Sequence, residues 1–184
     1  RDTSAKLLKY LIDHEHWSPF DIVNIVIEIT CTRTISRQIL RHWSIKPQEF
    51  SQRYAEVNND MFITNLEARL QDPKNRQNSI ASEDSDVQED WESIQCSVRD
   101  FAVEAYRHAL NMGIAKEQAR SVLPEGLTLS MLYMNGSLRS WYHYCKLRMG
   151  NGTQKEHQEI ASKCWGIVVD QFPALKNIYE QTVD

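Results

Sequence analysis

Residues 85–112 place Trp91, Ile94, Val98, Phe101, Ala102, Ala105, Ala109 and Met112 in one narrow helical stripe. A helix of that length with a single apolar stripe must lay it against another surface, so the rest of the chain has to supply a partner. Ser85 and Gln88 stand at capping-box spacing where the helix begins, and Gly113 ends it.

The neighbouring segments are shorter. Residues 4–14 set Leu7, Leu8, Leu11 and Ile12 at helical spacing, and Ser18-Pro19 stops that helix. Residues 22–30 are β-branched and partly alternating, which predicts a strand. Residues 32–44 predict a short helix that Pro47 prevents from continuing. On it Arg33, Arg37 and Arg41 form a basic ridge, and Ile35 and Ile39 an apolar one. Residues 71–90 are polar and predict a surface loop within the domain. A helix over 115–122 stops at Pro124 and carries Arg120.

Residues 128–149 read as another helix. Met131, Met134, Leu138, Trp141, Tyr142, Cys145 and Met149 share one broad face, and Arg139, His143 and Leu147 share the opposite one. Core packing is satisfied without that second row, which is left to line something else. Gly136 inside such a helix costs ~1 kcal/mol and implies close backbone approach. Thr153 and Glu156 give a capping box for a last helix through Phe172. The expected class is α+β, helix-dominated with a small, mostly antiparallel sheet, as a single domain over residues 1–184. A helix begins almost at Arg1, so an N-terminal piece is expected to precede the sequence.

Composition narrows the function. With a net charge of -4, the basic residues are a local concentration, which disfavours a general nucleic-acid binder and an RNA-binding role for the arginine ridge. No apolar run reaches the ~18 residues of a membrane span. Cys31, Cys96, Cys145 and Cys164 are too dispersed for a zinc site or disulfide scaffold, and predict free thiols in a reducing cytoplasm. His14-Glu15-His16 lacks further ligands nearby, so no metal is expected.

Residues 37–53 hold Arg37, Gln38, Arg41, His42, Glu49, Ser51 and Arg53. The ridge by itself reads as a solvated helix face. The following segment changes that. Glu49, Ser51 and Arg53 alternate after Pro47 and project the same way from an extended backbone. Arginine offers a planar fork to phosphate, while Gln and Glu offer acceptors to a base and a ribose. A carboxylate beside arginines also requires a satisfied network. Ser51 invites a nucleophile reading, yet no histidine is spaced as its base, so ligand hydrogen bonding is favoured.

The string RHWSIKPQEFSQRY resembles the signature of flavin-dependent thymidylate synthases, Arg-His-Arg followed by Glu-x-Ser-x-Arg-Tyr. Further segments resemble the same family. They are His16-x-Ser18-Pro19-Phe20-Asp21, Arg120-x-x-Leu123-Pro124, and the run from Gly136 through Arg139, Trp141 and His143 to Arg148. The resemblance covers most of the chain. It implies methylation of dUMP to dTMP, with methylenetetrahydrofolate as carbon donor and NADPH reducing through FAD. It also implies a homotetramer with active sites shared between subunits.

Carried over by motif, Gln38, Arg41, Glu49, Ser51, Arg53, Arg120 and Arg148 would hold dUMP. His16, Ser18, Asp21, Arg41, His42, Trp43, Arg139, His143 and Leu147 would contact FAD. Arg148 would stabilise charge on the pyrimidine, Ser51 would act beside it in catalysis, and no cysteine would take part. Trp43 stands where the family has an arginine, though an indole can stack on a flavin or adenine ring. A family histidine is also replaced within Gly150-Asn151-Gly152. The rival reading is a nucleotide-binding or regulatory module of the same fold with weakened flavin chemistry.

Overall fold

The computed structural model describes residues 3–150 and 152–176; Asn151 of the glycine-flanked turn lies outside them. The elements are helices α1 (Ser4–Asp13) and α2 (Ser18–Asp21), strand β1 (Asn24–Thr32), helix α3 (Arg33–Ile39) and strand β2 (Ile45–Glu49). Strands β3 (Arg69–Gln71) and β4 (Ser79–Ala81) follow, then helices α4 (Ser85–Asn111) and α5 (Lys116–Ala119). Strand β5 (Leu129–Ser137) and helices α6 (Leu138–Arg148) and α7 (Lys155–Gln171) complete the order. One sheet has the order β1-β5-β2 and the other pairs β3 with β4. The α+β, helix-dominated class read from the sequence therefore holds.

Within the one domain the chain packs as two compact units. One comprises the described residues of 1–27, 42–47 and 134–184, the other residues 28–41 and 48–133. In the first, α6 packs on α7, and Trp141, Cys145, Ala161 and Val168 are fully buried. The Trp141 indole N–H donates to the Ile25 carbonyl at 3.1 Å and ties α6 to the start of β1. In the second, Val57, Tyr106, Ala109, Ala119 and Leu123 form a core, and the Tyr106 hydroxyl accepts from the Val57 N–H at 3.2 Å.

The helix expected over 128–149 is a strand followed by a helix. From Ser130 to Gly136 every second residue is buried, while Tyr133 and Asn135 are exposed. Met134 and Leu138, four apart, fit both periods, so periodicity alone misleads here. Gly136 marks the break. A Cβ there would stand 3.1 Å from Ile45 Cγ1 and 3.3 Å from Trp141 Nε1, the close approach expected of it, but within a strand. Ser137 then caps α6, its Oγ accepting from the Ser140 N–H at 3.2 Å.

Smaller corrections follow from local hydrogen bonding. Ser18-Pro19 opens α2 rather than only ending α1, because proline suits a first helical turn. Asp84, not Ser85, caps α4, its carboxylate accepting from the N–H groups of Asp86 and Val87. Gln154 precedes α7 without a side-chain cap, so Thr153 and Glu156 form no capping box. The loop expected over 71–90 is instead an antiparallel hairpin, with Leu70 opposite Ile80, leading into α4.

The largest revision concerns α4. Its buried face is Gln95, Ala102, Tyr106 and Ala109, whereas Ile94, Val98 and Phe101 of the expected core stripe lie exposed. The two faces are set roughly a quarter turn apart at ~100° per residue. Amides do the inward work. Gln95 accepts from the Leu66 N–H and donates to the Leu66 carbonyl, both at 3.0 Å. Gln88 treats Ala68 the same way, at 2.8 and 3.1 Å.

Replacing Gly136 with valine is expected to destabilise the protein by about 1–3 kcal/mol, since Trp141 cannot yield without losing its bond to Ile25. Urea unfolding of wild type and Gly136→Val, compared at equal slope, checks this.

Candidate active site

The second unit carries the arginines. α3 turns Ile35, Ser36 and Ile39 inward, which leaves Arg33 half-buried and Arg37 exposed on its outer side. Glu49, at the end of β2, is bound internally. Its Oε1 accepts from Ser36 Oγ at 2.9 Å and Ser130 Oγ at 2.7 Å, with Arg33 NH1 3.8 Å away. This is the satisfied network that a carboxylate among arginines requires.

The extended projection expected for Glu49, Ser51 and Arg53 is not what forms. After Glu49 the chain turns, with the Tyr54 N–H donating to the Ser51 carbonyl and the Arg53 N–H to Ser51 Oγ at 3.3 Å. Ser51 thus stabilises the turn that re-aims Arg53.

A cavity of about 340 Å³ opens in this unit, lined by Arg33, Arg37, Gln52, Glu117, Arg120, Ser121, Leu123 and Glu125. Arg37 grips Glu125 through both Nε, at 2.8 Å, and NH2. Those hydrogen bonds hold the Glu125 carboxyl below the usual carboxylate range. Arg53 reaches Glu117 at 3.3 Å, and Arg120 Nε donates to the Glu117 carbonyl at 3.3 Å. Gln52 is 3% exposed, and its Nε2 has no hydrogen-bond partner. Of the residues expected to hold dUMP, only Arg120 lines the cavity. Gln38 is half-buried on α3, and Arg41 lies exposed in the turn beyond it.

The first unit carries the remaining residues. Asp21 accepts from Arg139 NH1 and from Ser137 Oγ, each at 3.0 Å, and the Arg139 bond is the main reason its carboxyl lies below the ordinary value. The His143 ring stands 4.4 Å from that of Trp17. Burial, then the Arg139 and Lys146 charges, lowers the His143 pKa. His16 belongs to an exposed ring cluster with Tyr10 and His14, while Ser18 opens α2. Leu147 and Trp43 are 61% and 89% exposed. The row Arg139, His143, Leu147 is therefore free of core packing, as its spacing requires. Exposed apolar surface beside a guanidinium and a neutral imidazole suits a group with both an aromatic ring system and phosphates, and a flavin dinucleotide fits that donor set.

His42 stands apart from that row. Arg148 Nε donates to His42 Nε2 at 2.8 Å, so His42 accepts there and keeps its proton on Nδ1. Burial, with the Arg148 charge second, lowers its pKa to about 4. Its ring meets Tyr144 edge-on at 4.8 Å, and the Tyr144 hydroxyl shares a 3.0 Å hydrogen bond with Nε2 of the fully buried His157. Sequence reasoning missed Tyr144 and His157, because nothing in spacing tells a core histidine from a solvated one. It also passed over Gln52, Glu117 and Glu125, which stand between motif positions.

A model for the family described as thymidylate synthase complementing protein matches residues 1–174. A probable flavin-dependent thymidylate synthase of Paramecium bursaria Chlorella virus 1 is 44% identical over 173 residues, covering 94% of this chain and 79% of the relative. The chain belongs to the flavin-dependent thymidylate synthase family. Another member, from Synechocystis sp., is 45% identical over 171 residues, covering 93% of this chain and 78% of that one. Among solved structures, the UMP/dUMP methylase PolB from Streptomyces cacaoi, bound with 5-Br UMP, superposes with a TM-score of 0.79 at 25% identity. That match covers 96% of this chain and 85% of PolB.

Burial pushes the Cys164 thiol up to about 12 and the Cys145 thiol higher still, so neither is a thiolate near neutral pH. His157 carries a measurable consequence. Burial, then the Arg148 and His42 charges, lowers its pKa from 6.5 to about 4. Above pH 6.5 it is neutral folded or unfolded. Below that the unfolded chain binds a proton that the folded one refuses, so stability falls as pH drops from 6.5 toward 4, by roughly 3 kcal/mol from this group. Urea unfolding at pH 7 and pH 4.5 should show a smaller decline for His157→Gln than for wild type.

Proposed function

We propose that this protein methylates dUMP to dTMP, with methylenetetrahydrofolate as carbon donor, NADPH as reductant and FAD as the bound redox group. The observation that carries this reading is the arginine-lined cavity with the unpartnered Gln52 amide, a seat for a phosphate, in a chain of this family. The relatives' names include flavin-dependent thymidylate synthase and UMP/dUMP methylase, which supports both the nucleotide and the flavin.

Arg41, Arg53 and Arg120 would bind the nucleotide with Gln38 and Ser51, and Glu49 would hold Arg33 in place. Arg148, fixed through Nε by neutral His42, presents its terminal nitrogens to a pyrimidine carbonyl and stabilises negative charge developing on the ring. His16, Ser18, Asp21, Trp43, Arg139, His143 and Leu147 would hold FAD, which supplies hydride transfer and carbon-transfer chemistry when bound. Ser51 acts as a hydrogen-bonding group and not as a nucleophile. None of the four cysteines is in a disulfide, which suits a reducing cytoplasm, and among the described residues no helix is long and apolar enough to cross a membrane.

Arg53→Ala or Arg148→Ala should weaken dUMP binding by roughly 1.5–3 kcal/mol and change flavin affinity less. Calorimetric titration measures both. Dependence of reduced-flavin oxidation on dUMP tests the reaction itself. A colourless protein that quenches no flavin fluorescence would instead support the nucleotide-binding module, the reading favoured by Trp43 in place of the family's arginine.

Assembly as a homotetramer explains the exposed Ile94, Val98 and Phe101 of α4, which in a lone subunit face water. Val98→Glu with Phe101→Glu is expected to give smaller species in light scattering, with helix content kept.

A further inference from the structure

We propose that Gln52 and Glu125 are specificity-determining residues of the arginine cavity. Gln52 donates from Nε2 to a phosphate oxygen, and Glu125 is the internal counter-ion that the phosphate displaces from Arg37. The inference rests on the nucleotide reading above and deepens it.

Two observations carry it. The first is the orphan amide. Gln52 is 3% exposed and lines the cavity, yet Nε2 finds no acceptor. A buried donor left unmade is costly, and a leucine would fill that space without the penalty. A ligand oxygen in the cavity supplies the missing acceptor.

The second is the charge arrangement. The lining sets Arg33, Arg37 and Arg120 against Glu117 and Glu125, so three positive groups face two negative ones. The Arg37–Glu125 pair is solvent-accessible, with side-chain exposures of 61% and 41%. Exposed pairs add little net stability, so the pair orients Arg37 while yielding readily to a stronger anion. A phosphate forms charge-assisted bonds with the same guanidinium fork. Each further phosphate group on a ligand adds negative charge near two glutamates, which matches the cavity to a monophosphate and opposes a triphosphate.

Binding of dUMP, dUTP, deoxyuridine and inorganic phosphate is measured by calorimetry on the full chain, with melting temperature alongside. Gln52→Leu should weaken dUMP binding about tenfold, leave deoxyuridine unchanged and not lower the melting temperature. Glu125→Gln should act in the opposite direction, tightening dUMP about threefold and dUTP by more, again with deoxyuridine unchanged. Unaltered or weaker dUMP binding by Glu125→Gln, or full affinity in Gln52→Leu, overturns the proposal while the nucleotide reading stands. A wild type that ignores dUMP sinks the nucleotide reading instead. The phosphate titration then still decides, since phosphate held no tighter by Glu125→Gln than by wild type overturns the counter-ion role.

Discussion

A single carboxylate oxygen organises the unit of the protein that carries α3 and the arginine-lined cavity. Glu49 Oε1 gathers a hydroxyl from Ser36 on α3 and another from Ser130 on β5, with the Arg33 guanidinium close by. A half-buried charge of this kind is tolerable only when its lone pairs are met. Meeting them fixes the rotation of α3. With Ser36 drawn inward between Ile35 and Ile39, Arg33 and Arg37 have to face the cavity side. Backbone bonds on either flank, Arg33 N–H to the Thr128 carbonyl and Phe50 N–H to the Met131 carbonyl, reinforce the same alignment.

Arg148 shows a different way to aim a charge. Arg37, Arg53 and Arg139 each meet a carboxylate, while Arg148 leans on a neutral imidazole. Burial keeps His42 uncharged, so the histidine positions the guanidinium without cancelling it. Tyr144 and His157 lie behind this contact and fill the space a mobile His42 ring would need.

Much of this was legible in the sequence. The Ile35–Ile39 ridge, the β-branched run of β1 and the row Arg139, His143, Leu147 each appear where their spacing puts them, because each obeys one period over its whole length. The strand at 129–137 was not legible as such, since Met134 and Leu138, four apart, satisfy both periods and only Gly136 argued against helix. The turn at Ser51 was hidden for a related reason: alternation of polar types implies extension only where nothing local competes, and the Ser51 hydroxyl does compete. Partners across the fold, such as Glu125 for Arg37, leave no trace in spacing.

The amide clamps of α4 have a consequence for the folded chain as a material. A helix that holds its neighbouring segment with Gln88 and Gln95 needs little hydrocarbon for the purpose, so its oily side is released for use elsewhere. In the proposed tetramer subunits would bury that side in one another, and part of the free energy of folding would come from encounter. Dilution would then weaken the protein, and a population of newly made chains would be most vulnerable when it is scarce.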